Sequence, residues 1–211
     1  MKHNTFKEKI PAILFGNGEI PKHPIVIKTL NRAKKIICLD GGVDKLIKIG
    51  YKPKYVLGDL DSINNDPDKY DCEVIKLPNQ SKTDLEKGLN WCINNKISRV
   101  MLIGFSGLRD DHYMANLWTI LHYANEIYCT FISNECKVLC INGIKKIKTT
   151  PGQTVSIIAS IPDTMLRTKG LKHELSNELL SSPGNGISNI ALKDEIEIQS
   201  DNWVWVFLRH L

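Results

Sequence analysis

Short apolar segments, each stopping at glycine or aspartate, dominate the first two thirds of this chain. Ala12-Ile13-Leu14-Phe15 stops at Gly16-Asn17-Gly18, Ile36–Leu39 at Asp40-Gly41-Gly42, Tyr55-Val56-Leu57 at Gly58, and Arg99–Ile103 at Gly104. Such runs read as strands, and helical patterns alternate with them. Val43–Ile49 reads as a short helix closed by Gly50, and Cys72–Leu77 as a further strand. Thr83 with Glu86 forms a capping box, followed by Leu85, Leu89, Cys92, Ile93 and Ile97 at helical spacing. A second helix starts near Asp111, with Met114, Leu117, Trp118 and Leu121 on one face, and Glu126–Ile132 closes the series as a strand. Strands alternating with helices predict an α/β domain built on a mostly parallel sheet.

From about Asn134 the pattern changes. Val138–Ile141, Val155–Ile158, Ile187–Leu192, Ile196–Ile198 and Trp203–Leu208 are short apolar stretches without a helical period. Asn142-Gly143, Pro151-Gly152 and Pro183-Gly184-Asn185-Gly186 between them read as turns. The expected organisation is therefore an α/β domain over residues 1–133 and an all-β sandwich over residues 134–211.

With 211 residues, 42% of them hydrophobic, the chain can bury a proper core. Its net charge of +5 fits anionic small molecules. Basic residues are dispersed, and no aromatic-basic recognition motif points to nucleic acid. In Lys145-Lys146-Ile147-Lys148 they alternate with apolar residues, as on the wet face of a strand. The six cysteines include no Cys-x-x-Cys pair, so reduced, structural thiols are expected. Met1–Lys9 lacks the apolar core of a signal peptide, and no run approaches the length of a membrane span. A cytoplasmic location follows, in which the Asn79-Gln80-Ser81 sequon carries no meaning.

Acids concentrate where the elements end. Asp59 and Asp61 leave the strand Tyr55-Val56-Leu57 together, Asp40 follows another strand, Asp84 opens a helix and Asp111 sits in a Gly-Arg-rich loop. In open parallel sheets, ligands bind outside the carboxyl ends of the strands. Carboxylates gathered there suit a hard cation such as Mg²⁺ carrying a polyphosphate. Glycines 16, 18, 41, 42, 104 and 107 would let backbone amides approach phosphate oxygens. The chain has no Gly-x₄-Gly-Lys-Ser/Thr loop, no Gly-x-Gly-x-x-Gly fingerprint and no nucleophile elbow at Ser106. His112, a lone histidine at a helix start, reads more readily as a cap or packing residue than as a catalyst.

Several segments taken together resemble thiamine pyrophosphokinase. These are Asp40-Gly41-Gly42, Gly58-Asp59-Leu60-Asp61-Ser62-Ile63, Thr83-Asp84-Leu85-Glu86-Lys87, and Gly107-Leu108-Arg109-Asp110-Asp111-His112 with Asn116-Leu117. In the last third, Thr168-Lys169-Gly170-Leu171-Lys172 and Gly186-Ile187-Ser188-Asn189 resemble the second domain of the same family. The order and spacing agree from about Ile13 to Phe207. Departures are Ser81 where an aspartate is common, Leu108 in place of a second glycine, and His173 in place of an aromatic.

The resemblance implies a homodimer, with thiamine between the catalytic domain of one subunit and the β domain of the other. It implies that Asp59, Asp61 and Asp84 hold Mg²⁺ and the ATP phosphates. Asn17, Asp40, Gln80, Arg109 and Asp111 would line the nucleotide and reaction centre, and Gly41, Gly42, Thr83, His112 and Asn116 would join them around the nucleotide. Ser188 and Asn189 would contact thiamine. The reaction implied is transfer of diphosphate from ATP to the thiamine hydroxyl, releasing AMP, with Arg109 as a cationic fork and Asp111 as proton acceptor. A diphosphokinase for another hydroxymethyl heterocycle, such as a pterin, is the enzymatic alternative. A nucleotide-binding regulator without catalysis, supported by Ser81 alone, is the other.

Overall fold

A computed structural model describes residues 12–211; the reading of Met1–Lys9 lies outside the described residues. The chain divides into two compact units, one ending at Cys129 and the other spanning Thr130–Leu211.

The first unit runs β1 (Ala12–Phe15), α1 (Pro24–Asn31), β2 (Ile36–Leu39), α2 (Gly42–Lys48), β3 (Tyr55–Gly58), β4 (Glu73–Lys76), α3 (Asp84–Asn94), β5 (Arg99–Ile103) and α4 (Asp110–His122). The strands are parallel in the order β5-β1-β2-β3-β4. β1 and β2 are buried at every residue, as expected of inner parallel strands whose sequences are unbroken apolar runs. The chain moves outward from β1 to β4 and then returns to the far side of β1 as β5. This places the reversal of strand order between β1 and β5.

Local chemistry explains the helices. Thr83 caps α3 in the expected capping box: its side chain accepts from Glu86 N at 3.3 Å, and Glu86 Oε2 accepts from Thr83 N at 2.8 Å. α3 stops earlier than its apolar period, because Lys96 turns left-handed at φ 59°. Ile97 N then donates to Cys92 O and Lys96 N to Ile93 O, the two bonds of a Schellman ending. α1 was not expected from periodicity; it opens on Pro24, with His23 Nδ1 accepting from Ile25 N at 3.2 Å. In α4 the buried residues are Leu117, Thr119 and Ile120, while Met114 and Trp118 of the expected inner face are exposed.

β6 (Tyr128–Ile132) reaches the second unit, where its residues from Thr130 pair antiparallel with β7 (Cys136–Lys148). There follow β8 (Thr154–Ala159), β9 (Met165–Lys169), β10 (Ser176–Leu179), β11 (Asn189–Ile190) and β12 (Glu195–Arg209). β12 pairs with β7 from Glu195↔Lys148 to Arg209↔Cys136. On its other edge β12 meets β9 through Glu197–Ser200 and β8 through Val204–Leu208. The register slips between Ser200 and Val204, so the long β7–β12 ladder bends and serves two antiparallel sets of strands. Leu139, Ile147, Val155, Leu166, Ile198 and Val206 belong to one buried cluster that joins both sets.

Three sequence readings change here. Asn142-Gly143 is not a turn between strands: Gly143, at φ 73°, lies inside β7 opposite Ser200, where the ladder bends. Ile196–Ile198 and Trp203–Leu208 are halves of the single strand β12. Of the stretch Ile187–Leu192, only Asn189–Ile190 forms a strand. The wet-face reading of Lys145–Lys148 agrees with the structure, which buries Ile147 between exposed lysines.

Candidate active site

The carboxyl ends of β2 and β3 bring acids together. Asp40, directly after β2, is 4% exposed, and its Oδ1 has no hydrogen-bond partner among the described residues. Asp59 and Asp61 follow β3. One carboxylate oxygen from each of Asp40, Asp59 and Asp61 lies within 4.8 Å of the others. The backbone bends sharply to achieve this: Asp40 (φ 46°) and Leu60 (φ 70°), the residue between the two other acids, both occupy the left-handed region. Non-glycine residues held there cost on the order of 1–3 kcal/mol each and gather at functional sites.

Asp84, expected to join Asp59 and Asp61, lines the same cavity and shares a partner with Asp59. Lys87, one helical turn along α3, places Nζ 2.9 Å from Asp59 Oδ2 and 3.4 Å from Asp84 Oδ1. Gln80 Nε2 donates to the same Asp59 oxygen at 3.0 Å. Asp59 and Asp84 thus flank one ammonium group, and Asp40 is the carboxylate that stands within 4.8 Å of Asp59 and Asp61. The Lys87 bond holds the Asp59 carboxyl below its ordinary range, whereas burial raises that of Asp84. Lys87 is the principal residue missed in the sequence. Its signal was present: a lysine three residues after Asp84, one helical turn along the same side of α3.

These groups border a cavity of about 680 Å³, lined entirely from the first unit. Asn17, Gln80, Thr83, Arg109, Asp111, His112 and Asn116 all reach it. Arg109 grips Asp111 with two bonds, Nε to Oδ1 at 3.1 Å and a terminal nitrogen to Oδ2 at 2.5 Å. That grip holds the Asp111 carboxyl down to about 2, which makes it a poor proton acceptor while the pair lasts. Asn116 Nδ2 donates to Phe105 O at 3.0 Å and steadies the loop after β5.

The glycines act by close packing. A Cβ on Gly18 would lie 2.5 Å from Gly104 O, and one on Gly104 would lie 2.6 Å from Gly16 O. Gly18 N donates to Gly104 O at 2.6 Å and Glu19 N to Ser106 O at 2.7 Å. The loops after β1 and β5 are thus joined backbone to backbone, and the Gly18 amide is already committed. Lys45 of α2 completes the clasp, with Nζ 2.6 Å from Asn17 O and 2.8 Å from Gly18 O. Gly41 and Gly42 pack as closely against Asn17, Ser62 and Gly16.

Ser188 and Asn189 belong to the second unit. Ser188 is exposed at φ 59°. The Asn189 amide is spent internally: Nδ2 donates to His173 O at 2.6 Å, and Oδ1 accepts from His173 N and Ile190 N. All six cysteines are free thiols, and burial pushes Cys92 and Cys140 up to about 12, far from reactive thiolates. Among the described residues no helix is long and apolar enough to cross a membrane.

Comparison with known proteins agrees with this division of labour. Residues 26–131 match the family model "Thiamin pyrophosphokinase, catalytic domain", and residues 141–205 match "Thiamin pyrophosphokinase, vitamin B1 binding domain". Thiamin pyrophosphokinase 1 of Caenorhabditis elegans is 27% identical over 201 residues, covering 83% of each chain. Thiamine pyrophosphokinase 1 of rice (Oryza sativa subsp. japonica) is 24% identical, covering 90% of this chain and 84% of its own. Among solved structures, the thiamine pyrophosphokinase of Bacillus subtilis superposes with a TM-score of 0.79 at 20% identity, covering 94% of this chain and 98% of its own. With both of the family's domains present in order, this chain belongs to the thiamin pyrophosphokinase family.

Proposed function

We propose that Asp40, Asp59 and Asp61 hold a divalent cation, Mg²⁺ by the hardness of their oxygen donors, and that ATP lies over them in the 680 Å³ cavity. The chain is an ATP-dependent thiamine diphosphokinase, as its family is. The observation that carries the cation reading is Asp40 Oδ1. A carboxylate oxygen buried without a partner is costly unless a cation answers it. The bound cation would neutralise charge building on the phosphate oxygens.

The protein groups do the rest by position. Asn17, Gly41, Gly42, Gln80, Thr83, His112 and Asn116 border the nucleotide. The thiamine hydroxyl attacks the β-phosphorus of ATP, a new P–O bond forms, and the bond to the AMP oxygen breaks. Arg109 turning from Asp111 to the polyphosphate gives a planar cationic fork. The same turn frees Asp111 to accept the hydroxyl proton. Thiamine, itself a cation, suits an acidic cavity. In the second unit Ser188 is the exposed candidate to meet it, and Asn189 shapes that surface through His173.

Phosphorus NMR tests the reaction. With ATP, Mg²⁺ and thiamine, AMP and thiamine diphosphate are expected in equal amounts, and pterin alcohols should be poor substitutes. ADP as product, or ATP consumption that thiamine does not stimulate, sinks the assignment.

We also propose that the active form is a homodimer in which the second unit of one copy completes the site of the other. Sedimentation should give about twice the 23.9 kDa chain mass. A fully active monomer rules out a shared site.

A further inference from the structure

Lys87 is a buried cation placed among acids. It is 7% exposed, and it touches both Asp59 and Asp84. Its Nζ lies 2.9 Å from Asp59 Oδ2 and 3.4 Å from Asp84 Oδ1, so two carboxylates answer the buried ammonium. It also lines the cavity that Asp40, Asp59 and Asp61 border. The protein thus keeps a permanent positive charge against a carboxylate that is also placed to meet a metal.

We propose that Lys87 is a standing counter-cation that stops the empty acidic cluster from trapping a bare divalent cation, so that the cation enters with the polyphosphate. This rests on the reading of Asp40, Asp59 and Asp61 as the cation site. A fixed ammonium repels a bare divalent cation and attracts a polyphosphate, so it favours the metal–nucleotide complex over the metal alone. A bare metal held tightly by three carboxylates would leave fewer open positions for phosphate oxygens.

Lys87 also helps to orient Asp59, and removing it has two opposed effects. Loss of orientation would loosen metal binding, as for other groups that support a ligand. Loss of the positive charge would tighten it. Gln80 decides between them: its Nε2 stays on Asp59 Oδ2 at 3.0 Å and keeps that carboxylate aimed when Lys87 is gone. Charge therefore wins, and affinity for the bare metal should rise while turnover falls.

The test is Mg²⁺ titration without nucleotide, followed by calorimetry and by the Mg²⁺-dependent rise of the melting temperature. Wild type is compared with Lys87→Met, Lys87→Gln and Lys87→Arg. Met and Gln should bind bare Mg²⁺ at least about tenfold more tightly than wild type, and turn over more slowly. Arg should keep the weak binding of wild type. The near-isosteric Gln separates charge from hydrogen bonding, because it keeps donors without the charge. Should Lys87→Met fold only with Mg²⁺ present, recovery of its circular dichroism on Mg²⁺ addition reports the same gain. Unchanged or weaker binding in Met and Gln, beside measurable binding in wild type, overturns the role of Lys87 alone. Absence of bare Mg²⁺ binding in Met and Gln likewise overturns the role of Lys87, and absence of Mg²⁺ binding in wild type even with ATP present removes the cation site itself.

Discussion

Asp40→Asn is expected to lower turnover by at least about 10²-fold, the scale of losing one preorganised electrostatic group. In the absence of metal it should also raise stability, by about 1–2 kcal/mol. The two effects share one cause. Asp40 is 4% exposed, and its Oδ1 has no partner among the described residues. A neutral amide of the same shape removes the buried charge, and asparagine tolerates the left-handed conformation that Asp40 adopts at φ 46°. Stability gained where function is lost marks a group kept for its ligand.

The neighbouring acids sharpen this expectation. Asp61→Asn, at an exposed position, should lose as much turnover with stability unchanged within about 0.5 kcal/mol. Asp59→Asn should lose turnover and stability together, because it leaves buried Lys87 with Asp84, at 3.4 Å, as its one remaining carboxylate among the described residues. Urea melts in EDTA and AMP release at matched Mg²⁺ measure both quantities. Near-normal turnover in Asp40→Asn removes Asp40 from the reaction. A loss of stability there shows that its carboxylate is satisfied without a metal.

Much of this arrangement was legible in the chain because local rules and tertiary packing agreed. The runs ending at Asp40, Gly58 and Gly104 are inner parallel strands, and the Thr83–Glu86 capping box opens α3 where expected. The misreadings fall where packing overrides the local rule. In α4 apolar residues occur on more than one face, so periodicity found the buried Leu117 but set the exposed Met114 and Trp118 beside it and passed over Ile120. β9 and β10 escaped notice because Thr168-Lys169 and Ser176-Asn177-Glu178 are polar residues on strands with exposed positions. Asn142-Gly143 has turn chemistry, yet its glycine serves a bend within a ladder.

In the site, the Asp59/Asp61 pair could be read from its place after a strand. That Asp40 comes within 4.8 Å of that pair could not. Nor could the reach of Lys87 from α3 to Asp59, a contact set by helix placement.

Gly104→Ala is the other change expected to have a large effect, about 3 kcal/mol of lost stability or more, with turnover falling alongside. The left-handed backbone at φ +78° alone costs a residue with a Cβ about 1–2 kcal/mol. The remainder comes from the clasp between the loops after β1 and β5. A Cβ at Gly104 would sit 2.6 Å from Gly16 O, a backbone atom without a flexible end to move aside. Relief requires the loops to part, which strains the bonds Gly18 N to Gly104 O and Glu19 N to Ser106 O. Both loops border the cavity, so Asn17 and Arg109 move with them. Gly50→Ala is the control. Gly50 has nearly the same backbone, at φ +86°, but nothing lies within 4 Å of its added Cβ. It should show the conformational cost alone, about 1 kcal/mol, with turnover intact. The difference between the two variants in a denaturant melt isolates the clasp. Equal losses, within about 0.5 kcal/mol, would mean that the two loops are not held together in solution and that the cavity wall they form is not fixed by these glycines.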